Sequence, residues 1–171
     1  MASTGEPGAA RGRLSRRGLL RVAALAPLAA LLAPRRLGAT EYGSAAEVFD
    51  AVDRFEADVA ARLRGIASTL ASARPFAESA LADHGRHRRQ RDRLRRRLRL
   101  ATASTPASAL SSDRTLDGLR GAQEALVYAH AEGLPALDDP LSVDAMARHM
   151  VDLSRHLTLI DLWIEAEASR G

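Results

Sequence analysis

Chemistry in this chain has to come from few residue types. There is no cysteine among the 171 residues, which removes disulfides, thiolate zinc sites, iron–sulfur clusters and a cysteine nucleophile. Neither a glycine-rich phosphate loop nor a Gly-x-Ser-x-Gly turn occurs, and nothing calls for an organic cofactor. What is left is imidazole and carboxylate. Glu56 interrupts an otherwise apolar periodic stripe, the run Asp83-His84-Gly85-Arg86-His87 follows in the next periodic segment, and Glu124 and His156 stand in a similar relation further on. Converging glutamates and histidines hold a divalent ion when the carboxylate is ionised and the imidazole neutral. The candidate metal ligands are Glu56, His84, His87, Glu124 and His156, with Asp83 and Asp152 as outlying candidates. Two glutamates against three imidazoles favour a single zinc- or copper-like ion, or a looser iron or manganese site. Such an ion should leave as the pH falls through about 6, near the intrinsic pKa of imidazole.

Each residue also has a plainer reading. A glutamate in an apolar stripe is commonly a boundary residue or the partner of an arginine, and Arg88 and Arg91 are candidates for that partner. His130, His149 and His156 read equally as polar flank. His149, Asp152 and His156 share a face at spacings of three and four, next to a fully apolar stripe.

The elements that must position these residues are helices. The chain is 46% hydrophobic but only 4% aromatic, a core of Ala, Leu and Val that suits close-packed helices better than a β-sandwich. Ser44-Ala45-Ala46-Glu47 forms a capping box, and Phe49, Val52, Glu56, Val59, Leu63, Ile66 and Leu70 repeat at helical spacing through about residue 71. Pro75 opens a second helix with Phe76, Ala80, His84 or His87, Arg91, Leu94 and Leu98 inward. A third is expected over 115–137. A fourth, capped by Ser142 after the turn Asp138-Asp139-Pro140, carries Val143, Met146, Met150, Leu153, Leu157, Ile160 and Ile164. Between them, Thr102 to Asp113 is rich in Ser, Thr, Ala and Pro and reads as a connection. Twelve or so extended residues reach about 40 Å, enough to run the length of a helix. The expectation is an all-α four-helix bundle with a long connection between helices 2 and 3. That length suits a crossover, and a plain up-down-up-down path stays open.

Folding each hairpin about its turn sets the heights. Glu56 and His87 are 31 positions apart and Glu124 and His156 are 32 apart, and both midpoints fall in or beside a predicted turn. The halves therefore read as degraded copies of one unit. In this the chain resembles the ferritin-like superfamily, in which each hairpin gives one Glu from its first helix and a Glu-x-x-His pair from its second. The resemblance puts His87 and His156 in the His places and His84 in a Glu place, with Leu153 standing where the last Glu would be. It implies a ferritin-like fold with one or two metal ions held by His and Glu in the bundle core. The missing carboxylates put di-iron ferroxidase chemistry in doubt. The alternative is a metal-free degenerate bundle acting as a structural or partner-binding protein.

Residues 1–39 read as an address. Ser15-Arg16-Arg17-Gly18-Leu19-Leu20-Arg21, the apolar run Val22–Ala33 and the small pair Gly38-Ala39 resemble a twin-arginine (Tat) signal peptide. That resemblance implies the Tat export machinery as a partner, cleavage near Ala39, and a periplasmic or otherwise extracytoplasmic domain over 40–171. Arg21, Pro27 and Pro34 make a poor spanning helix, so no stable membrane span is expected after cleavage. The segment also distorts the net charge of +4: without it, 18 arginines face 20 acids, and the chain's basicity says little about nucleic acid. Nine arginines fall between Arg86 and Arg99 with no aromatic interleaved. They read as a solvated helix end, or as a surface for an anionic envelope polymer, and no nucleic-acid partner is expected. A homo-oligomer is left open.

Overall fold

The computed structural model describes residues 41–101 and 114–169. The segment that resembles a twin-arginine signal, the cleavage expected near Ala39 and the connection expected over 102–113 lie outside the described residues. Those described form four α-helices, α1 (Ala45–Thr69), α2 (Arg74–Arg97), α3 (Leu116–Gly133) and α4 (Pro140–Ala168), with single 3-10 turns at Ala71–Ala73 and Leu134–Ala136.

Local chemistry sets the boundaries. The Ser44 hydroxyl accepts from the Glu47 amide at 3.3 Å, while the Glu47 carboxylate accepts from the Gly43 amide at 2.7 Å, one residue earlier than an ideal capping box. Pro75 sits in the first turn of α2, where its missing N–H costs nothing. At its far end α2 is closed by Arg99 in the left-handed region (φ 56°), with the Leu100 amide reaching back to the Arg95 carbonyl at 3.0 Å. α3 stops at Gly133, short of the expected 137, because Pro135 forces a 3-10 turn. The fourth helix starts two residues earlier than Ser142. Pro140 is its first residue, and Asp139 is the cap, accepting from the Ser142 amide at 2.8 Å and its hydroxyl at 2.6 Å.

α1 packs against α2 and α3, and α4 packs against α3 and, less extensively, α2. The order around the bundle is thus α1, α2, α4, α3. Cross-helix pairs give the directions: Asp53 with Arg91 and Asp50 with Arg95, Asp83 with His156 and Asp139 with Arg97, and Val48 against Gly133. All adjacent helices are antiparallel, and Gly65, near the end of α1, meets Arg114 just before α3. α2 therefore stops at one end of the bundle and α3 begins at the other. Val48, Phe49, Val52, Ala145 and Met146 fill the first end and Leu63, Ile66, Ala77, Leu119 and Ile160 the second. Between them the core turns polar. No helix among the described residues is long and apolar enough to cross a membrane.

Candidate metal centre

The polar layer is built from the middle of all four helices. α1 carries Glu56 inward (5% exposed), and α2 sets His84 and His87 opposite it, one turn apart on its own inner face. His84 Nδ1 lies 3.1 Å from Glu56 Oε1. Glu56, His84 and His87 can each offer one ligand atom such that all three lie within 4.8 Å of one another, and all three residues are buried. Ligands of a zinc-like ion sit about 2 Å from it and so at most about 4 Å from each other. Closing the set takes a contraction of less than about an ångström.

All five histidines of the chain are buried, at 6% exposure or less. They are linked ring to ring: His156 to His84 (5.4 Å between centroids), His84 to His87 (6.0 Å), His87 stacked on His149 (4.0 Å), and His149 to His130 (5.9 Å). Each ring uses one nitrogen on an acceptor. His84 Nδ1 faces Glu56, His87 Nε2 faces Asp152 at 3.1 Å, and His156 Nε2 faces Asp83 at 3.1 Å. His149 Nε2 faces the Gln90 carbonyl oxygen at 3.1 Å and His130 Nδ1 the Leu126 carbonyl at 2.8 Å. An acceptor fixes the tautomer by taking the N–H, so the second nitrogen of each ring carries the lone pair. Those second nitrogens (Nε2 of His84 and His130; Nδ1 of His87, His149 and His156) have no hydrogen-bond partner among the described residues. For His87, held from behind by Asp152, the partnerless Nδ1 is in the arrangement of a metal-bound histidine; His84 can share an ion with Glu56 only through the Nδ1 that meets it, which must first give up its proton.

Electrostatics hold Glu56 ionised and shift four of the histidines down. Burial pushes Glu56 up, but the hydrogen bond from His84 and the Arg91 guanidinium outweigh it and bring the carboxyl down to about 2. Burial pushes His87, His130, His149 and His156 the other way. His130 falls to about 3, its bond to the Leu126 carbonyl only partly opposing burial, and His149 falls to about 2, through burial and then the neighbouring His87 and His130. His87 and His156 are also lowered by burial, against the pull of Asp152 and Asp83. A groove of about 260 Å³ between α1 and α2, walled by Ala57, Ala60 and Gly85, leads from the surface to Glu56 and His84.

Arg91 competes for the same carboxylate. Its side chain is fully buried and pairs with Glu56 Oε2 and, at 2.8 Å, with Asp53 Oδ1. Arg95 continues the ladder to Asp53 (3.0 Å) and Asp50 (2.7 Å).

Of the five ligands expected from sequence, the structure brings Glu56, His84, His87 and His156 into one connected layer. Asp83 and Asp152 stand behind His156 and His87 as their hydrogen-bond acceptors. Glu124 is elsewhere, about a third exposed and paired with Arg120 at 2.8 Å. The inward place on α3 is taken by Gln123, whose amide donates to the Leu153 carbonyl at 3.3 Å. His130 and His149, read from sequence as flank, are core residues. Comparison with protein-family models, with curated proteins and with solved structures found no match to this chain.

Proposed function

We propose that this chain is an exported, metal-binding four-helix bundle of ferritin-like layout. One observation carries the metal reading: buried Glu56, His84 and His87 each offer one ligand atom within 4.8 Å of the others. His84 meets Glu56 through Nδ1, and His87 keeps an Nδ1 with no partner among the described residues. A buried acceptor left unmet costs about 1–3 kcal/mol, and an ion bound by His87 Nδ1 would offset that cost. His156, whose ring lies 5.4 Å from that of His84, is the fourth ligand candidate. Imidazole outnumbers carboxylate, so the set suits zinc or copper before iron or manganese. The ferritin-like layout is supported by the opposite positions of the end of α2 and the start of α3, which the connecting chain has to span. Export rests on the Arg16-Arg17 motif, and loss of export on replacing both by Lys tests it.

A second reading has its own support. Arg91 already neutralises Glu56, as expected of a metal-free bundle whose polar layer is structural. Elemental analysis of protein purified without chelator or a histidine tag separates the two. Metal binding predicts close to one transition-metal ion per chain, lost in His87→Ala and His156→Ala. Metal-free protein that also fails to take up zinc or copper when supplied, while fully folded, would establish the structural reading.

A further inference from the structure

The arginine run of α2 is divided by the fold. Arg91 and Arg95 turn into the core and pair with α1, whereas Arg86, Arg89 and Arg93 stay exposed on one face at spacings of three and four. Across the seam α4 presents Arg148, also exposed. These four arginines line a groove of about 600 Å³, with His87, Gln90, His149 and Asp152 as its remaining lining.

Four guanidinium groups thus face a single carboxylate, and that carboxylate is engaged with the His87 ring. Among the described residues, Arg86 and Arg148 are paired only within their own helices, to Asp83 and Asp144. Arg89 and Arg93 have no ion pair among the described residues. Elsewhere in the run cross-helix acids meet the positive charge, as Asp139 meets Arg97. Here no carboxylate beyond Asp152 lines the groove, and like charges gathered on a concave surface raise the local concentration of anions. The floor is fixed, because Gln90 accepts from His149 and its amide N–H₂ remains a donor.

We propose that this α2–α4 groove binds a polyvalent oxyanion of the phosphate class, held by Arg86, Arg89, Arg93 and Arg148 with Gln90 at the base. Guanidinium groups suit this ligand because each can give two parallel N–H bonds to one phosphoryl group. The volume exceeds that of one phosphoryl group, so a diphosphate should bind more tightly than inorganic phosphate. The groove shares His87 and Asp152 with the metal group, but its four arginines lie outside that group, and their loss need not change metal content.

Calorimetric titration of the purified full chain with inorganic pyrophosphate, phosphate and glycerol 3-phosphate tests the proposal. Saturable binding in the order pyrophosphate over phosphate, weakened by salt and at least tenfold by Arg89→Gln/Arg93→Gln, is expected. Glycerol 3-phosphate against phosphate tells an esterified ligand from a free one, and saturable binding of either supports the site. Arg88→Gln/Arg96→Gln, exposed on the same helix outside the groove, should change affinity less than twofold. All four positions are exposed, so unchanged circular dichroism and metal content are expected in both double variants. No saturable binding, or equal loss in the two double variants, would overturn the site. An oligonucleotide that binds more tightly than pyrophosphate and depends on Arg88 and Arg96 would also overturn it, revealing a diffuse polyanion surface.

Discussion

Arg91 is the most demanding side chain in the molecule: a cation with no exposure, answered by Asp53 and Glu56 from the facing helix. Removing it leaves the buried Glu56 carboxylate without its arginine, while half-buried Asp53 keeps Arg95 at 3.0 Å; breaking a buried pair in this way costs about 3–5 kcal/mol. Arg91→Met should lower the urea unfolding free energy by that amount. A loss below about 1 kcal/mol would show that Glu56 and Asp53 find water or other partners instead. Sequence made part of this layer legible. Glu56 stood out because it broke an apolar stripe, and Arg91 because it fell on the inward side of α2. Height was readable too, since reflection about a turn depends only on residue count. Direction around the helix axis was not. Glu124 is level with His156, yet Leu119, Gln123, Leu126 and His130 define the inner face of α3 and leave Glu124 at its edge. His149 was hidden for the converse reason. It adjoins the apolar stripe of α4, and only the presence of His87 and Gln90 on the neighbouring helix makes that strip of surface interior.

At the scale of elements, helical periodicity and proline positions sufficed to place four helices, and their ends required side-chain detail. Ser142 looked like a cap because it precedes the apolar repeat, but Pro140 is better used as a first helical residue and moves the cap to Asp139. The closeness of two helices is the feature least visible in sequence. α1 and α3 approach at Gly133, where an added Cβ would lie 2.5 Å from Val48 Cγ1, in a fully buried position. Gly65 is also tight, its added Cβ 2.8 Å from Arg114 Cγ, but Arg114 is exposed and rotation about its Cα–Cβ bond moves that atom away. Gly133→Ala should therefore destabilise by about 1–3 kcal/mol, the cost of overpacking, while Gly65→Ala should be neutral or gain up to about 1 kcal/mol of helix propensity. Paired thermal melts decide it. Equal effects would mean that the α1–α3 seam relaxes freely.

For the molecule as a whole, buried histidines dictate a dependence on acid. His87, His130, His149 and His156 are all lowered from the ordinary 6.5, so the unfolded chain binds protons that the folded one refuses. Their stabilisation is complete above about pH 6.5 and is lost as pH falls toward the folded values, by up to about 1.4 kcal/mol per pH unit for each. Urea midpoints should be flat above pH 7 and fall steeply between about 6.5 and 5. A midpoint unchanged from pH 7 to 5 would contradict the neutral, buried state of these rings. The same shift revises the expectation from sequence that a bound ion leaves near pH 6. Rings that resist protonation keep their lone pairs, so the ion should remain until the fold itself gives way. The two hairpins also join unequally. α1 and α3 meet where Val48 packs on Gly133, whereas α2 and α4 meet through His87–Asp152, His156–Asp83, His149–Gln90 and Arg97–Asp139. The bundle is in effect a book with a greasy spine and a polar clasp: acid charges imidazoles that the clasp keeps from water, and the covers should part there first while the spine still holds.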